Sequence, residues 1–233
     1  AGVATENVRP IVAIYSTFLQ RAYDHIVHDV AIQHLPVVFC MDRAGIAGED
    51  GPTHHGALDI AYLRCVQNII VAAPKNGQEF RHLLYTALNQ KELPFFIRYP
   101  KASSVEFDSD SQAELLPIGT WDVVRTGMDV VVLAVGPMVF DAKKAAQLLH
   151  EKGVSIEVVN CRFIKPMDES YLQSMKKRFN NVITIEEGVV TGGFGDGVSA
   201  WLLEGSFQGN IRRQGLPDEF VQHGPRDRIL KDI

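Results

Sequence analysis

Three apolar runs in the first hundred residues each end in groups able to do chemistry: Tyr15-Ser16, Asp42-Arg43, and Arg98 through Lys101. Between the second and third runs lies a long stretch, Asp42–Ile60, with four glycines (Gly45, Gly48, Gly51, Gly56) that also carries Glu49, Asp50, His54 and His55. Long loops in compact domains are often functional. Cations hold negative charge, and an imidazole takes and returns protons near neutral pH. The set therefore suits an anionic substrate that needs proton transfer. Residue types alone leave blander readings open. Asp42-Arg43 is equally a turn pair whose solvated ion pair contributes little, His54-His55 can be loop hydrogen-bonders, and Tyr15 can be a packing residue.

Two other motifs point away from chemistry. His25 and His28 lie three apart with Asp24 and Asp29 beside them; exposed or capping roles fit better than a metal centre, which needs convergent ligands. The stretch Gly192–Gly197 follows a strand and precedes a helix but matches neither G-x-x-x-x-G-K-[ST] nor G-x-G-x-x-G, so it reads as a tight structural turn.

The elements that must position these groups alternate. Ile11–Tyr15 reads as a strand buried on both faces. A helix follows, with Phe18, Ala22, Ile26 and Val30 as an i, i+4 stripe, and ends before Pro36. Val37–Met41, Ile69–Ala73 and Phe95–Arg98 are further strands, with a helix carrying Phe80, Leu83, Leu84, Ala87 and Leu88 before the last. A Ser- and Asp-rich connector spans residues 101–117. Beyond it come strands at Trp121–Arg125, Val130–Val135, Ile156–Val159 and Val182–Ile185. Helices are expected after Gly136-Pro137 (face Phe140, Leu148, Leu149; stop at Gly153), over Asp168–Phe179, and from Gly195 to Leu203. Ligands of open α/β sheets sit beyond the strands' carboxyl ends, where the reactive groups fall. The fold class is α/β: two doubly wound domains with mostly parallel sheets.

Composition excludes other classes. The 233 residues carry 23 Lys and Arg against 28 Asp and Glu, a net charge of −5, so a nucleic-acid partner is not expected. The longest aliphatic run, Val130–Val135, is too short to span a bilayer, and the start shows no basic region followed by an apolar one. The expected location is cytoplasmic, or plastid in a plant. The chain lacks an initiator Met and reads as a fragment or processed product. Cys40, Cys65 and Cys161 have no C-x-x-C spacing and read as buried free thiols.

The longer motifs carry a resemblance. YSTFLQRAYD (Tyr15–Asp24), LPVVFCMDRAGIAGEDGPTHHG (Leu35–Gly56), YLRC (Tyr62–Cys65), RYPK (Arg98–Lys101), RFIKPMD (Arg162–Asp168) and EEGVVTGGFGDGV (Glu186–Val198), in this order, resemble the 1-deoxy-D-xylulose-5-phosphate synthase family. The resemblance implies the thiamine-diphosphate (transketolase-like) superfamily and a transferase that condenses pyruvate with glyceraldehyde 3-phosphate, with loss of carbon dioxide, for isoprenoid, thiamine and pyridoxal synthesis. It implies thiamine diphosphate and Mg2+ as cofactors and a homodimer. Residues 1–100 would be a truncated pyrimidine-binding domain, 101–118 a linker and 119–233 the carboxyl-terminal domain. The diphosphate and metal ligands would lie outside this chain, as would the activating glutamate, so the isolated chain is expected to be inactive. Alternatives are another transketolase-like enzyme or a non-catalytic dimerisation or scaffold module.

Residue by residue, the resemblance makes Phe18 the ring that stacks on the cofactor's aminopyrimidine. Tyr15, Arg21, Arg43, Arg98 and Lys101 become substrate-binding groups. Asp50 and His54, with Arg43, become catalytic. One departure stands out: the family has Arg-Gly after Tyr-Pro, whereas this chain has Lys101-Ala102, which keeps the charge but loses the bidentate fork.

Overall fold

The computed structural model describes residues 1–104 and 106–232; Val105, in the connector, and Ile233 lie outside the described residues. The strands are β1 (Ile11–Tyr15), β2 (Val38–Asp42), β3 (Ile70–Ala72), β4 (Phe95–Arg98), β5 (Asp122–Arg125), β6 (Val130–Ala134), β7 (Ile156–Asn160), β8 (Phe163–Lys165), β9 (Asn181–Val189) and β10 (Asn210–Leu216). The helices are α1 (Gly2–Thr5), α2 (Ser16–Leu19), α3 (Tyr23–His25), α4 (Asp59–Arg64), α5 (Gly77–Asn89), α6 (Met138–His150), α7 (Glu169–Met175), α8 (Phe194–Glu204) and α9 (Arg226–Asp232).

Two five-stranded sheets form, in the orders β1-β2-β4-β3-β8 and β10-β9-β6-β7-β5. All neighbours run parallel except β3 with β8 and β5 with β7. The α/β reading is correct. The halves are nevertheless sewn together: β8 comes from beyond the connector yet completes the first sheet, and Ala73 N–H donates to the Arg162 carbonyl beside it. Three residues show no periodicity, so β8 was invisible to pattern reading. One apolar core runs through both halves and includes Phe95, Phe96, Phe163, Trp121 and Phe194. A smaller cluster covers the far face of the second sheet, where Met138, Val139, Ala142 and Ala146 of α6 pack. Of the expected face, Leu149 packs against this cluster, whereas Leu148 is exposed.

Other expectations also change. β1 is an edge strand with Ile11 and Ala13 exposed, not a strand buried on both faces. The single helix after it is broken: α2 passes through a 3-10 turn (Gln20–Ala22) into α3 and then a π segment (Ile26–Ala31). Each change of winding rotates the apolar face. Already within α2, Leu19 points into the core, while Phe18, expected on the stripe, is 36% exposed. β10 was missed because Asn210–Leu216 is polar, as befits an edge. α4 was missed because six residues inside a long loop are too few to show a period. Cys40 and Cys161 are buried free thiols, but Cys65 is exposed, its thiol beside the Tyr23 hydroxyl.

The helix starts are locally encoded. Asn76 caps α5 by accepting from Glu79 N–H, and the Glu79 carboxylate reaches back to Lys75 N–H. Asp168 caps α7 through Tyr171 N–H. Gly153, at φ +83°, follows the end of α6.

Phe163 anchors β8 by packing on Phe95 at 6.2 Å, and Trp121 donates its indole N–H to the Phe163 carbonyl. Phe163→Ala should lower stability by about 3–5 kcal/mol. Urea denaturation monitored by tryptophan fluorescence checks this; a loss below about 1 kcal/mol would show that β8 does not hold the halves together.

Candidate active site

The long loop after β2 is closed at its base. Gly45 and Gly56 exchange backbone hydrogen bonds of 2.8 and 2.9 Å, and Ala44 N–H donates to the Tyr99 carbonyl. Gly56 has no side chain for a steric reason: a Cβ there would lie 2.5 Å from both the Arg43 carbonyl and the Ser16 hydroxyl. This close approach brings the loop against the turn from β1 into α2.

At that junction a buried carboxylate joins three segments. Asp59 Oδ2 accepts from the Ser16 hydroxyl at 2.9 Å and from Arg98 Nε at 3.0 Å, and Arg98 Nη2 donates to the Glu187 backbone carbonyl at 2.9 Å. Arg98 is only 4% exposed. Burial opposes its charge, but Asp59 more than offsets this, and its pKa lies above the ordinary value. This corrects the substrate-binding expectation for Arg98: its guanidinium is enclosed and committed to protein acceptors, so it positions the strand end that leads to Lys101.

The remaining expected residues do come together. Tyr15 and Phe18 stack at 5.3 Å with an interplanar angle of 19°. The His54 ring lies 5.3 Å from Phe18, edge-on, and 6.3 Å from Tyr15. The Arg43 guanidinium sits 3.7 Å over the Tyr15 ring, and that of Arg21 lies 6.0 Å from Phe18. Arg43 adopts a positive φ of 59° and pairs with Asp42 at 2.6 Å and Asp50 at 3.3 Å. Lys101 pairs with Asp50 at 2.8 Å. The hydrogen bond from Lys101, aided by Arg43, holds the Asp50 carboxyl below the usual range. His54 Nδ1 lies 3.0 Å from the Thr53 hydroxyl.

His55 is different from its neighbour. It is buried, accepts Ala47 N–H at Nδ1 (2.9 Å) and faces the Gln222 carbonyl with Nε2. Burial lowers its pKa below the ordinary 6.5. It also lines a cavity of about 300 Å³ between the loop and residues 216–221, walled by Ile46, Leu58, Val189 and Phe220.

Sequence reading missed the acidic pair at the end of β9. Glu186 accepts Phe194 and Gly195 N–H, both at 2.8 Å. The glycine-rich turn is thus structural: two of its amides are taken by a protein carboxylate. Glu187 accepts Ile46 N–H at 2.7 Å and an Arg226 N–H at 2.5 Å. Burial raises both carboxyls above the ordinary range. Arg64 adds hydrogen bonds to the Gly192 and Gly193 carbonyls. Two consecutive acids on a strand were the available signal. His25 and His28 are exposed and pair with Asp29 and Asp24.

Two interlocked parallel sheets, with an aromatic and cationic cluster at the carboxyl edge of the first, define a transketolase-class pair of domains. Residues 1–105 match the family described as transketolase, pyrimidine binding domain, and residues 119–233 match transketolase, C-terminal domain. The chain belongs to the transketolase family, and its full-length similarity within it is to the 1-deoxy-D-xylulose-5-phosphate synthases. The Aquifex aeolicus synthase is 47% identical over 233 residues, covering 100% of this chain and 37% of that protein. The Thermomicrobium roseum synthase is 47% identical over 231 residues, and the Synechocystis synthase 45% over 234, each again covered to 37%. A solved structure titled split gene transketolase, inactive beta4 tetramer, superposes with a TM-score of 0.84 at 28% identity, covering 94% of this chain and 70% of that one. The chain therefore spans a little over a third of the length of these synthases.

Because His55 must be neutral at Nδ1 to accept Ala47 N–H, its folded pKa is the lower one. The folded state then binds fewer protons than the unfolded state below about pH 6.5, so stability is present above that pH and is lost as the pH falls towards the folded value. Unfolding free energy should decline as the pH falls below about 6.5, and His55→Gln should flatten that decline. Urea titrations across this range check it; an unchanged slope in the variant would refute the assignment.

Proposed function

We propose that the chain is the aminopyrimidine-facing and carboxyl-terminal portion of a thiamine-diphosphate-dependent synthase, which condenses pyruvate with glyceraldehyde 3-phosphate to 1-deoxy-D-xylulose 5-phosphate. The observation that carries this reading is the contiguity of Tyr15, Phe18, Arg21, Arg43, Asp50, His54 and Lys101 at one sheet edge. Similarity to the synthases over the whole chain supports it.

The residues fit one end of the cofactor. Phe18 is a part-exposed aromatic ring, suited to lie against a flat heterocycle. The other end finds no match here: the turn amides are occupied by Glu186, and among the described residues no cluster of three His, Cys, Asp or Glu could hold a metal ion. Magnesium and the diphosphate are accordingly assigned to the part of the protein outside this chain. When bound, thiamine diphosphate supplies a stabilised carbanion. This chain supplies the surroundings. Arg43 and Lys101 hold the substrate phosphate or carboxylate, Tyr15 lies under Arg43 and fixes its direction, and Arg21 adds positive field. His54 takes or gives the proton at the aldehyde oxygen, and Asp50 orients substrate hydroxyls.

We assign the whole protein to the cytoplasm, or to a plastid in a plant, and to a homodimer. Among the described residues no helix is long and apolar enough to cross a membrane. A second reading, a non-catalytic module that assembles with itself, is favoured by the split-gene neighbour, an inactive tetramer.

In a full-length protein carrying this sequence, Arg43→Ala should lower kcat/KM roughly tenfold or more, because a charge-assisted contact contributes about 1.5–3 kcal/mol. Steady-state kinetics check it, and unchanged values would restore Arg43 to a turn salt bridge. Lys101→Ala should reduce the preference for the phosphorylated over an unphosphorylated aldehyde, while Lys101→Arg should keep or raise it.

The 233-residue chain alone should bind thiamine diphosphate with magnesium only weakly and show no turnover. Micromolar affinity by titration calorimetry would overturn the division of the site.

A further inference from the structure

Both cations assigned to the substrate anion converge on one atom. Asp50 Oδ2 accepts from Lys101 Nζ at 2.8 Å and from Arg43 Nε at 3.3 Å, and these are the hydrogen bonds of its side chain among the described residues. Arg43 Nη1 is separately held by Asp42 Oδ2 at 2.6 Å, which fixes the plane of the guanidinium and aims its Nε edge. A phosphate accepting from Arg43 Nε and Lys101 Nζ together must stand where the Asp50 carboxylate stands. It cannot share that place, because two groups cannot occupy one position and their like charges repel.

The local chain allows Asp50 to leave. It ends the three-residue 3-10 turn Gly48–Asp50, and the flanking Gly48 and Gly51 both have φ of +77°. Glycine crosses between positive and negative φ at little cost. The Gly45–Gly56 pairing closes the loop beneath the turn, so the turn can move without opening the base. Asp50 is partly exposed, with 30% of its side chain accessible, so a released carboxylate can be hydrated.

We infer that Asp50 is a placeholder anion: it keeps Arg43 and Lys101 aimed at a common point while the subsite is empty, and an incoming phosphate displaces it. This rests on the assignment of Arg43 and Lys101 to the substrate phosphate and adds a competitor to that subsite. The apparent affinity for phosphate is reduced by the fraction of molecules in which Asp50 occupies the place. In return the Arg43 Nε edge and Lys101 Nζ are held in register towards one point, while Asp42 holds the other edge of the guanidinium.

The test is titration of the 233-residue chain with inorganic phosphate at constant ionic strength, followed by NMR. Asp50→Asn should bind phosphate about fivefold more tightly than the parent. Asp42→Asn removes the same charge from the same arginine but not from the point between the cations, and should change affinity less. In the parent, saturating phosphate should shift the Asp50 side-chain carboxyl carbon as its ion pairs break. If Asp50→Asn binds no more tightly than Asp42→Asn, or the Asp50 carboxyl signal stays in place at saturation, the placeholder role is overturned. Arg43→Ala and Lys101→Ala separate the two failures. If both still weaken phosphate binding, the subsite assignment stands and only the displacement is wrong; if neither does, the subsite itself is misplaced and the inference falls with it.

Discussion

The arrangement depends on a guanidinium taken out of water. Arg98, at the end of β4, is enclosed between the Asp59 carboxylate and the Glu187 carbonyl. Buried ion pairs are weak evidence for net stability, since desolvating both charges offsets much of their attraction. Their geometry is demanding, however, and here it sets register. Asp59 also holds Ser16, so the start of α2, the end of β4 and the end of β9 share one set of hydrogen bonds. Phe18 leaves from the first of these segments and Lys101 from the second. A slip of β4 would leave the buried Asp59 carboxylate unpaired, which is strongly unfavourable, and a slip of either other segment would cost the pair a supporting hydrogen bond.

The second half serves the first through its own strand end. In open α/β sheets the carboxyl edge is the usual place for a ligand. In the second sheet much of that edge is taken up by protein beside the cavity at Val189 and Leu216: Glu187 reaches across to Ile46 N–H, Glu186 gathers the amides of the glycine-rich turn, and Arg64 from α4 takes that turn's carbonyls. A Cβ at Gly197 would run into the Arg64 guanidinium, so that side chain would have to shift to accommodate it. Gly192–Gly197 is thus the tight structural turn that its sequence suggested, with two of its amides given to a carboxylate. The polar groups beside the aromatic cluster belong to the first sheet, where Tyr15 and Arg43 are half-buried and Lys101 is exposed.

Much of this was legible in the residues themselves. The apolar runs marked the central strands, because strands buried on both faces need uninterrupted β-branched and aromatic side chains. The apolar face of Phe80, Leu83, Leu84, Ala87 and Leu88 marked α5, and the structure adds the caps of α5 and α7, Asn76 and Asp168, which act within three residues. The reactive groups could be placed at one sheet edge because parallel strands put their carboxyl ends on the same side. Such features depend on neighbours along the chain, and sequence order records those neighbours directly.

What tertiary structure alone decided depends on distant partners. Arg98 sits in the same RYPK motif as Lys101, yet one side chain is sealed in by Asp59, 39 residues away, and the other is exposed. Phe18 lies on an apolar stripe by spacing but faces outward, while its neighbour Leu19 takes the buried place in the core. β8 crosses back to the first sheet because β3 offers an open edge and Phe95 a surface to cover. In each case local pattern allowed two orientations. The balance was settled by which side chain found a buried partner at long range, a contact that no period of two or 3.6 residues encodes.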